Sequence, residues 1–181
     1  MEQKIISQII EMPEGVQLVK EGFKLTMTGP KGTLVRRITD KSLIVKIEGS
    51  NIDLSYKKNS KREKKNLNTL VAHLNNMIKG VTEGYNYKLK ICSGHFPMNV
   101  SLKDKTIEVK NFIGESVPRR LLIKDGAEVK INGDIIEVDS IDKELAGQTA
   151  ASIEKLTKRQ GFDKRIFQDG IYIMEKDGRV L

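Results

Sequence analysis

The sequence predicts an α+β fold built by internal duplication: two similar domains, each with small, mostly antiparallel sheets and one covering helix. Three observations carry that prediction. Residues Pro13 to Leu54, slid forward by 84 positions without a gap, meet a related segment, with Pro13 on Pro97, Val16 on Val100, Leu18 on Leu102, Leu25 on Val109 and Arg36 on Arg120. The match tightens where Val45-Lys46-Ile47-Glu48-Gly49 falls on Val129-Lys130-Ile131-Asn132-Gly133, and a unit longer than the roughly 20 to 50 residues of solenoid repeats indicates a duplicated small domain. Second, each half strings together short alternations of apolar and polar residues divided by turn residues. Third, each half closes on one helical pattern. The division falls at Thr82 to Gly84, giving residues 1–83 as the first repeat and 84–181 as the second, which ends in a C-terminal tail.

Taken in order, Val16-Gln17-Leu18-Val19, Phe23 to Met27 and Leu43 to Ile47 have the period of strands, and Gly22, Gly29, Gly32 and Gly49 to Asn51 punctuate them as turns. A basic run, Lys57 to Lys65, follows and has no counterpart in the second half. Leu67, Leu70, Val71, Leu74, Met77, Ile78 and Val81 then form one apolar helical stripe, with Asn66, Thr69, His73 and Asn76 on the polar side. In the second half, Tyr85 to Ile91, Val100 to Leu102, Thr106 to Val109, Val129 to Ile131 and Ile135 to Val138 read as strands, and Asn132-Gly133-Asp134 as a tight hairpin turn. A helix is expected from Asp142 to Arg159, where Ala146, Gly147, Ala150 and Ala151 allow a close approach to its sheet. It registers on the first helix at an offset near 79, with Ala72 on Ala151 and Leu74 on Ile153, so the second repeat lacks about five residues before its helix.

The chain has 181 residues and a formal net charge of +8, unevenly shared as +6 over residues 1–83 and +2 over 84–181. Such a surplus points to a polyanion, either nucleic acid or an anionic surface. The single cysteine, Cys92, excludes an intramolecular disulfide and fits a reducing compartment. With only His73 and His95 beside it, no zinc site is expected. Met1 to Ile10 is too short and interrupted for a secretory signal, and no apolar stretch reaches the roughly 18 residues of a membrane span, so a cytoplasmic protein with no membrane association is expected.

Catalysis has little to stand on. Gly29-Pro30-Lys31-Gly32 lacks both the spacing and the hydroxyl residue of a phosphate-binding loop and reads as a turn. No nucleophile or metal motif occurs, and His95 has no partner nucleophile near it in sequence, so neither a catalytic residue nor a cofactor is expected. Three basic groupings are the candidates for contact: Lys57 to Lys65; Arg119 and Arg120 after Pro118; and Lys155, Lys158 and Arg159 on the second helix, followed beyond Gly161 by Lys164 and Arg165. Cations at a helix C-terminus offset its dipole, but that accounts for two of the last five at most. The rest fit a phosphate-gripping edge. With no Trp in the chain, grip on the sugar-phosphate shape of folded RNA is favoured over stacking on single strands.

The tail Arg165-Ile166-Phe167-Gln168-Asp169-Gly170-Ile171-Tyr172-Ile173, followed by Lys176, resembles the C-terminal signature of the ribosomal large-subunit protein six family in its archaeal and eukaryotic form. So do the duplicated halves, the segment Gly94-His95-Phe96-Pro97-Met98-Asn99-Val100, and Gly114-Glu115 with Pro118-Arg119-Arg120. Phe162 is a departure, standing where that family tends to place further basic residues. The resemblance implies a structural constituent of the large subunit that binds large-subunit ribosomal RNA near the sarcin-ricin and factor-binding region. Its implied partners are that RNA, neighbouring ribosomal proteins including the stalk base, and translation factors nearby, without a stable homo-oligomer. It makes Arg165, Phe167, Asp169, Gly170, Tyr172 and Lys176 the candidates for an RNA-facing element, in which Asp169-Gly170 reads as a turn with Gly170 allowing close backbone approach; the charge pattern adds Lys155, Lys158, Arg159, Lys164, Arg119 and Arg120. A free-standing nucleic-acid-binding regulator is the alternative, and an enzyme built on His95 a more distant one.

Overall fold

A computed structural model describes residues 6–38, 40–163 and 165–181, and the chain divides into two units after Gly84. The first unit contains β1 (Ile6–Glu11), β2 (Gln17–Glu21), β3 (Lys24–Gly29), β4 (Gly32–Arg37), β5 (Leu43–Glu48), β6 (Asn51–Tyr56) and α1 (Lys61–Thr82). Its strands make two antiparallel sheets, ordered β1-β6-β5 and β2-β3-β4. Alternation decides which faces are buried: Leu25 and Met27 on β3, and Ile52, Leu54 and Tyr56 on β6, point into the core that Leu67, Leu74, Met77 and Val81 of α1 cover. The stripe read from the sequence is therefore the covering face of α1. Strands β1, β4 and β6 carried no separate expectation.

Two contacts fix the ends of α1. At its start the Ser60 hydroxyl accepts from Arg62 N–H at 3.3 Å and bonds the Glu63 carboxylate, joining the two side-chain positions of a capping box. At its end the β3–β4 turn docks: Lys31 N–H donates to Val81 C=O at 2.9 Å, and the Lys31 ammonium reaches Glu83 C=O. The Gly29-Pro30-Lys31-Gly32 segment is thus a turn that caps a helix. A Cβ at Gly29 would stand 2.7 Å from Val81 Cγ2. We expect Gly29→Ala to destabilise the first unit by about 1–3 kcal/mol through overpacking, measured by urea denaturation.

The second unit contains β7 (Tyr85–Cys92), β8 (Asn99–Lys103), β9 (Thr106–Lys110), a 3-10 turn (Phe112–Gly114), β10 (Arg119–Leu122), β11 (Ala127–Asn132), β12 (Ile135–Ser140), α2 (Lys143–Leu156), β13 (Gly170–Lys176) and β14 (Arg179–Val180). Its sheets are ordered β10-β9-β8 and β11-β12-β7-β13-β14. Residues Leu89, Ile107, Ile136, Val138, Ala146, Ala150, Ile153 and Ile171 form its core. The duplicated α+β architecture stands, while the offsets between the repeats are local. The β5–β6 and β11–β12 hairpins superpose at 84, Gly49 and Gly133 both lying at φ 60° in the turn. The β2–β3 hairpin meets β8–β9 at 82 instead, placing Gly22 (φ 58°) on Asp104 (φ 53°). A displacement of two keeps every strand side chain on its own face, which is why an ungapped slide still aligned apolar residues there. Strands β1 and β7 match at 79, since Ile10 faces Ile52 and Leu89 faces Ile136. The segment from Leu89 to the start of β8 is consequently three residues longer than its twin from Ile10 to β2, and those residues go to a longer β7 and a longer β7–β8 connection.

The structure makes two corrections to the expected elements. The second helix ends at Leu156 rather than Arg159, so Lys158 and Arg159 lie beyond it. Asp169-Gly170 is not a turn: Gly170 opens β13, paired with Cys92 of β7. Residues Gly170–Lys176 of the expected RNA-facing tail form this strand, and the first repeat has no equivalent of it.

Candidate nucleic-acid interface

The end of α2 is built by interactions distant in sequence. Thr157 is buried; its N–H caps Glu154 C=O, and its hydroxyl accepts from Ile171 N–H at 2.9 Å. Arg119 donates from Nη1 to Leu156 C=O at 2.7 Å, while Nε and Nη2 fork onto Glu115 at 2.7 and 2.6 Å. Its guanidinium also lies 4.4 Å from the Phe112 ring centroid. These groups satisfy the last carbonyls of the helix and stop it where they stand. The fork, opposed by burial, holds the Glu115 carboxyl below the usual carboxylate range. We expect Arg119→Ala to cost about 2 kcal/mol, and Arg119→Lys to recover little of it, because an ammonium cannot make the same fork. Urea denaturation of both variants checks this.

Beyond the helix, the chain folds back through Phe162 and a turn in which Ile166 and Phe167 N–H groups both donate to Asp163 C=O. The Asp163 carboxylate accepts from Arg165 N–H at 3.0 Å and from its guanidinium at 3.1 Å, which holds the acid below its usual range. Aromatic contacts join the segment into one wall. The Arg159 guanidinium sits 4.4 Å over Phe162, Phe162 meets Phe167 edge-on at 5.1 Å, and Phe167 lies 5.0 Å from the His95 ring.

Asp169 anchors this wall. It is only 5 % exposed, and it accepts from Gly94 N–H at 2.5 Å, His95 N–H at 2.9 Å and His95 Nδ1 at 2.7 Å. Burial opposes its ionisation, but the hydrogen bonds from His95 and Gly94 outweigh burial and hold the carboxyl below the ordinary aspartate range. The loop it grips is the lengthened β7–β8 connection, so the added residues of the second repeat and its added tail meet at this carboxylate. Tyr172 lies across Gly170, where a Cβ would come within 3.3 Å of its ring, and burial pushes its hydroxyl upward in pKa.

The result is a cleft of about 250 Å³ whose lining includes Lys155, Lys158, Arg159, Phe162, Phe167, Asp169 and Tyr172. Lys155, Lys158 and Arg159 are exposed along its rim, and the floor carboxylate already has its donors. Glu154 also lines it, and its carboxylate accepts from Ile173 N–H at 3.3 Å. The cleft therefore presents cations and aromatic faces beside acids that already hold protein donors, an arrangement suited to phosphate and sugar contact. Six of the expected site residues meet there. Arg165, 89 % exposed at its side chain, stands outside it, and Gly170 lies between the lining residues Asp169 and Ile171 without lining it itself. Lys176 is exposed at the far end of β13, about 20 Å along the strand from Gly170. Arg119 lies behind the helix end, its guanidinium held by protein acceptors. Arg120 points outward from β10 with Nε and Nη2 on Glu108 Oε1 at 3.0 and 2.9 Å. Lys164 falls outside the described residues. Phe162, Gly94 and His95 were not among the expected site residues; the one available signal was that Gly94-His95 and Asp169-Gly170 both belong to the segments that carry the family resemblance.

Comparisons with known proteins agree with this duplicated organisation. The family model for Ribosomal protein L6 matches residues 12–84 and again 96–170. The chain is 40% identical over 177 residues to the large ribosomal subunit protein uL6 of Methanococcus vannielii, covering 98% of this chain and 97% of that one. It is 41% identical over 173 residues to the protein of the same name from Methanosarcina mazei, covering 96% and 98%. Against that of Methanobrevibacter smithii it is 38% identical over 172 residues, covering 95% and 97%.

Proposed function

The chain belongs to the ribosomal protein L6 family, and from that premise we propose that it is a structural constituent of the large ribosomal subunit that docks on large-subunit ribosomal RNA through the cleft of its second unit. Its role there is structural rather than catalytic, and its place is the cytoplasmic ribosome. The observation that carries the RNA-binding reading is the convergence of Lys155, Lys158 and Arg159 with Phe167, Asp169 and Tyr172 on one cleft. In this reading the three rim cations grip phosphates, and Arg165 and Lys176 extend the contact along the tail. Phe167 and Tyr172 pack against sugar or base surface, and Gly170 admits the Tyr172 ring. Arg119 supports the helix end rather than meeting RNA. Arg120 presents a partly neutralised cation at the margin. Proximity to the sarcin-ricin and factor-binding region, with stalk-base proteins and translation factors as neighbours, is the finer placement we attach to the same proposal.

Crosslinking the purified protein to archaeal large-subunit ribosomal RNA at moderate salt, with the peptides mapped, tests it. Crosslinks concentrated between Lys155 and Lys176 are expected. Crosslinks absent from that segment overturn the assignment of the cleft, and equal binding to unrelated duplexes with no association with large subunits supports a free-standing regulator instead.

A further inference from the structure

We propose that the exposed face of α1 is a second nucleic-acid site, one that grips the phosphate backbone of double-stranded RNA without reading its sequence. The inference rests on the RNA-binding reading above only for the class of ligand. Its site is on the other unit and shares no residue with the cleft.

A shallow groove runs along α1, lined by Lys61, Lys64, Lys65, Asn68, Thr69 and His73. The three lysines are exposed and make no ion pair among the described residues. Glu63 is the sole carboxylate in the sequence of α1, and its side chain is taken by the Ser60 hydroxyl. The carboxylate reaching the helix from outside, Asp40, accepts from Ser42 N–H, Tyr56 Oη and Asn66 Nδ2, so it too is engaged. Asn68 accepts from Gln8 through Oδ1, which leaves its amide N–H groups as donors beside the lysines. Helix α1 contributes no large hydrophobic side chain to the exposed surface, so this face lacks the apolar anchors that a membrane surface or an apolar protein partner would require.

The duplication supplies the second argument. Helix α2 begins three residues after β12 ends and runs for 14 residues, whereas α1 begins five residues after β6 and runs for 22. At the helix offset of 79, the five residues 57–61 between β6 and the body of α1 have no counterpart in the second repeat, while Lys64 and Lys65 fall on Lys143 and Glu144. In the second repeat the residues without a counterpart, the long β7–β8 loop and the tail, build the cleft. In the first they supply the Lys61 end of this stripe, and Lys65 stands where the second repeat has an acid, Glu144. Lysines at the positive end of a helix dipole also oppose its stability, so local helix energetics do not explain their placement. A polyanion lying along the face relieves both the dipole and the repulsion between Lys61 and Lys65, which stand one turn apart.

The test uses the full chain and a fluorescent, perfectly paired RNA duplex of arbitrary sequence, titrated between roughly 50 and 200 mM salt. Relative to the unmodified protein, the variant K61E/K64E/K65E is expected to bind at least tenfold more weakly at the low-salt end and to flatten the slope of log K against log salt by about two to three. Its melting temperature is expected to stay level or rise, because carboxylates now face the helix N-terminus. If it loses helicity, K61Q/K64Q/K65Q carries the same binding criterion. Unmodified affinity and slope in the folded variant overturn the site and leave the lysines as a solvated helix start. A parallel K155E/K158E/R159E variant separates the two readings. Loss in that variant alone removes the α1 site, whereas loss in the α1 variant alone keeps this proposal and leaves the cleft to be judged by its binding to large-subunit ribosomal RNA.

Discussion

Asp169→Ala is expected to lower the melting temperature of the second unit by about 10 °C or more while leaving the transition of the first unit in place. The carboxylate is 5 % exposed and satisfies two backbone N–H groups and one imidazole nitrogen of the β7–β8 connection. Removing it leaves Gly94 and His95 N–H without their acceptor, each at about 1–3 kcal/mol where water cannot replace it. It also frees the residue before β13, the strand that extends the β7 edge. Calorimetry checks the prediction by resolving two transitions where the units unfold separately. The pH dependence has a definite sign. Because the folded-state pKa of Asp169 is depressed, its contribution is present above the ordinary aspartate value, near 3.9, and is lost as pH falls through the lower folded value. The gap in stability between the unmodified protein and Asp169→Asn therefore narrows only in acid, below about pH 4.

Charge reversal at Lys155, Lys158 and Arg159 is expected to weaken binding to large-subunit ribosomal RNA by two orders of magnitude or more at moderate salt, and to flatten the salt slope by roughly two to three. The melting temperature should fall by a few degrees at most: the two lysines are exposed and the Arg159 contact to Glu115 is long, at 3.9 Å, so the loss is confined to the Arg159–Phe162 contact and to the cations near the helix C-terminus. Filter binding across a salt series measures both quantities. An unchanged slope removes the rim from the RNA contact, whatever the crosslinks show. The Asp169 and rim variants separate two roles: the first loosens the platform and so lowers stability, while the second leaves the platform standing and removes its charge.

Much of this was legible in the chain. Period-two alternation identified Leu25 with Met27 and Ile136 with Val138 as strand faces, and the i, i+3, i+4 stripe from Leu67 to Val81 identified α1, because those periods are local geometry. The duplication was legible because apolar positions repeat wherever the same face must be buried twice. The composition likewise determined the basic excess and the want of catalytic motifs. Tertiary structure alone decided where α2 ends, since Arg119 and Thr157 cap it from segments distant in sequence. It alone decided that the tail is a strand, because β13 becomes one only by pairing with β7. It also selected among the cations: Arg119, Arg120 and Arg165 are drawn onto Glu115, Glu108 and Asp163, whereas Lys155 and Lys158 remain exposed on the cleft rim. Asp169 is the sharpest case, holding residues 74 and 75 positions away through hydrogen bonds that no local pattern encodes. Periodicity reports which face is buried, but only folding brings a carboxylate to its donors, and that long-range closure shapes the candidate site.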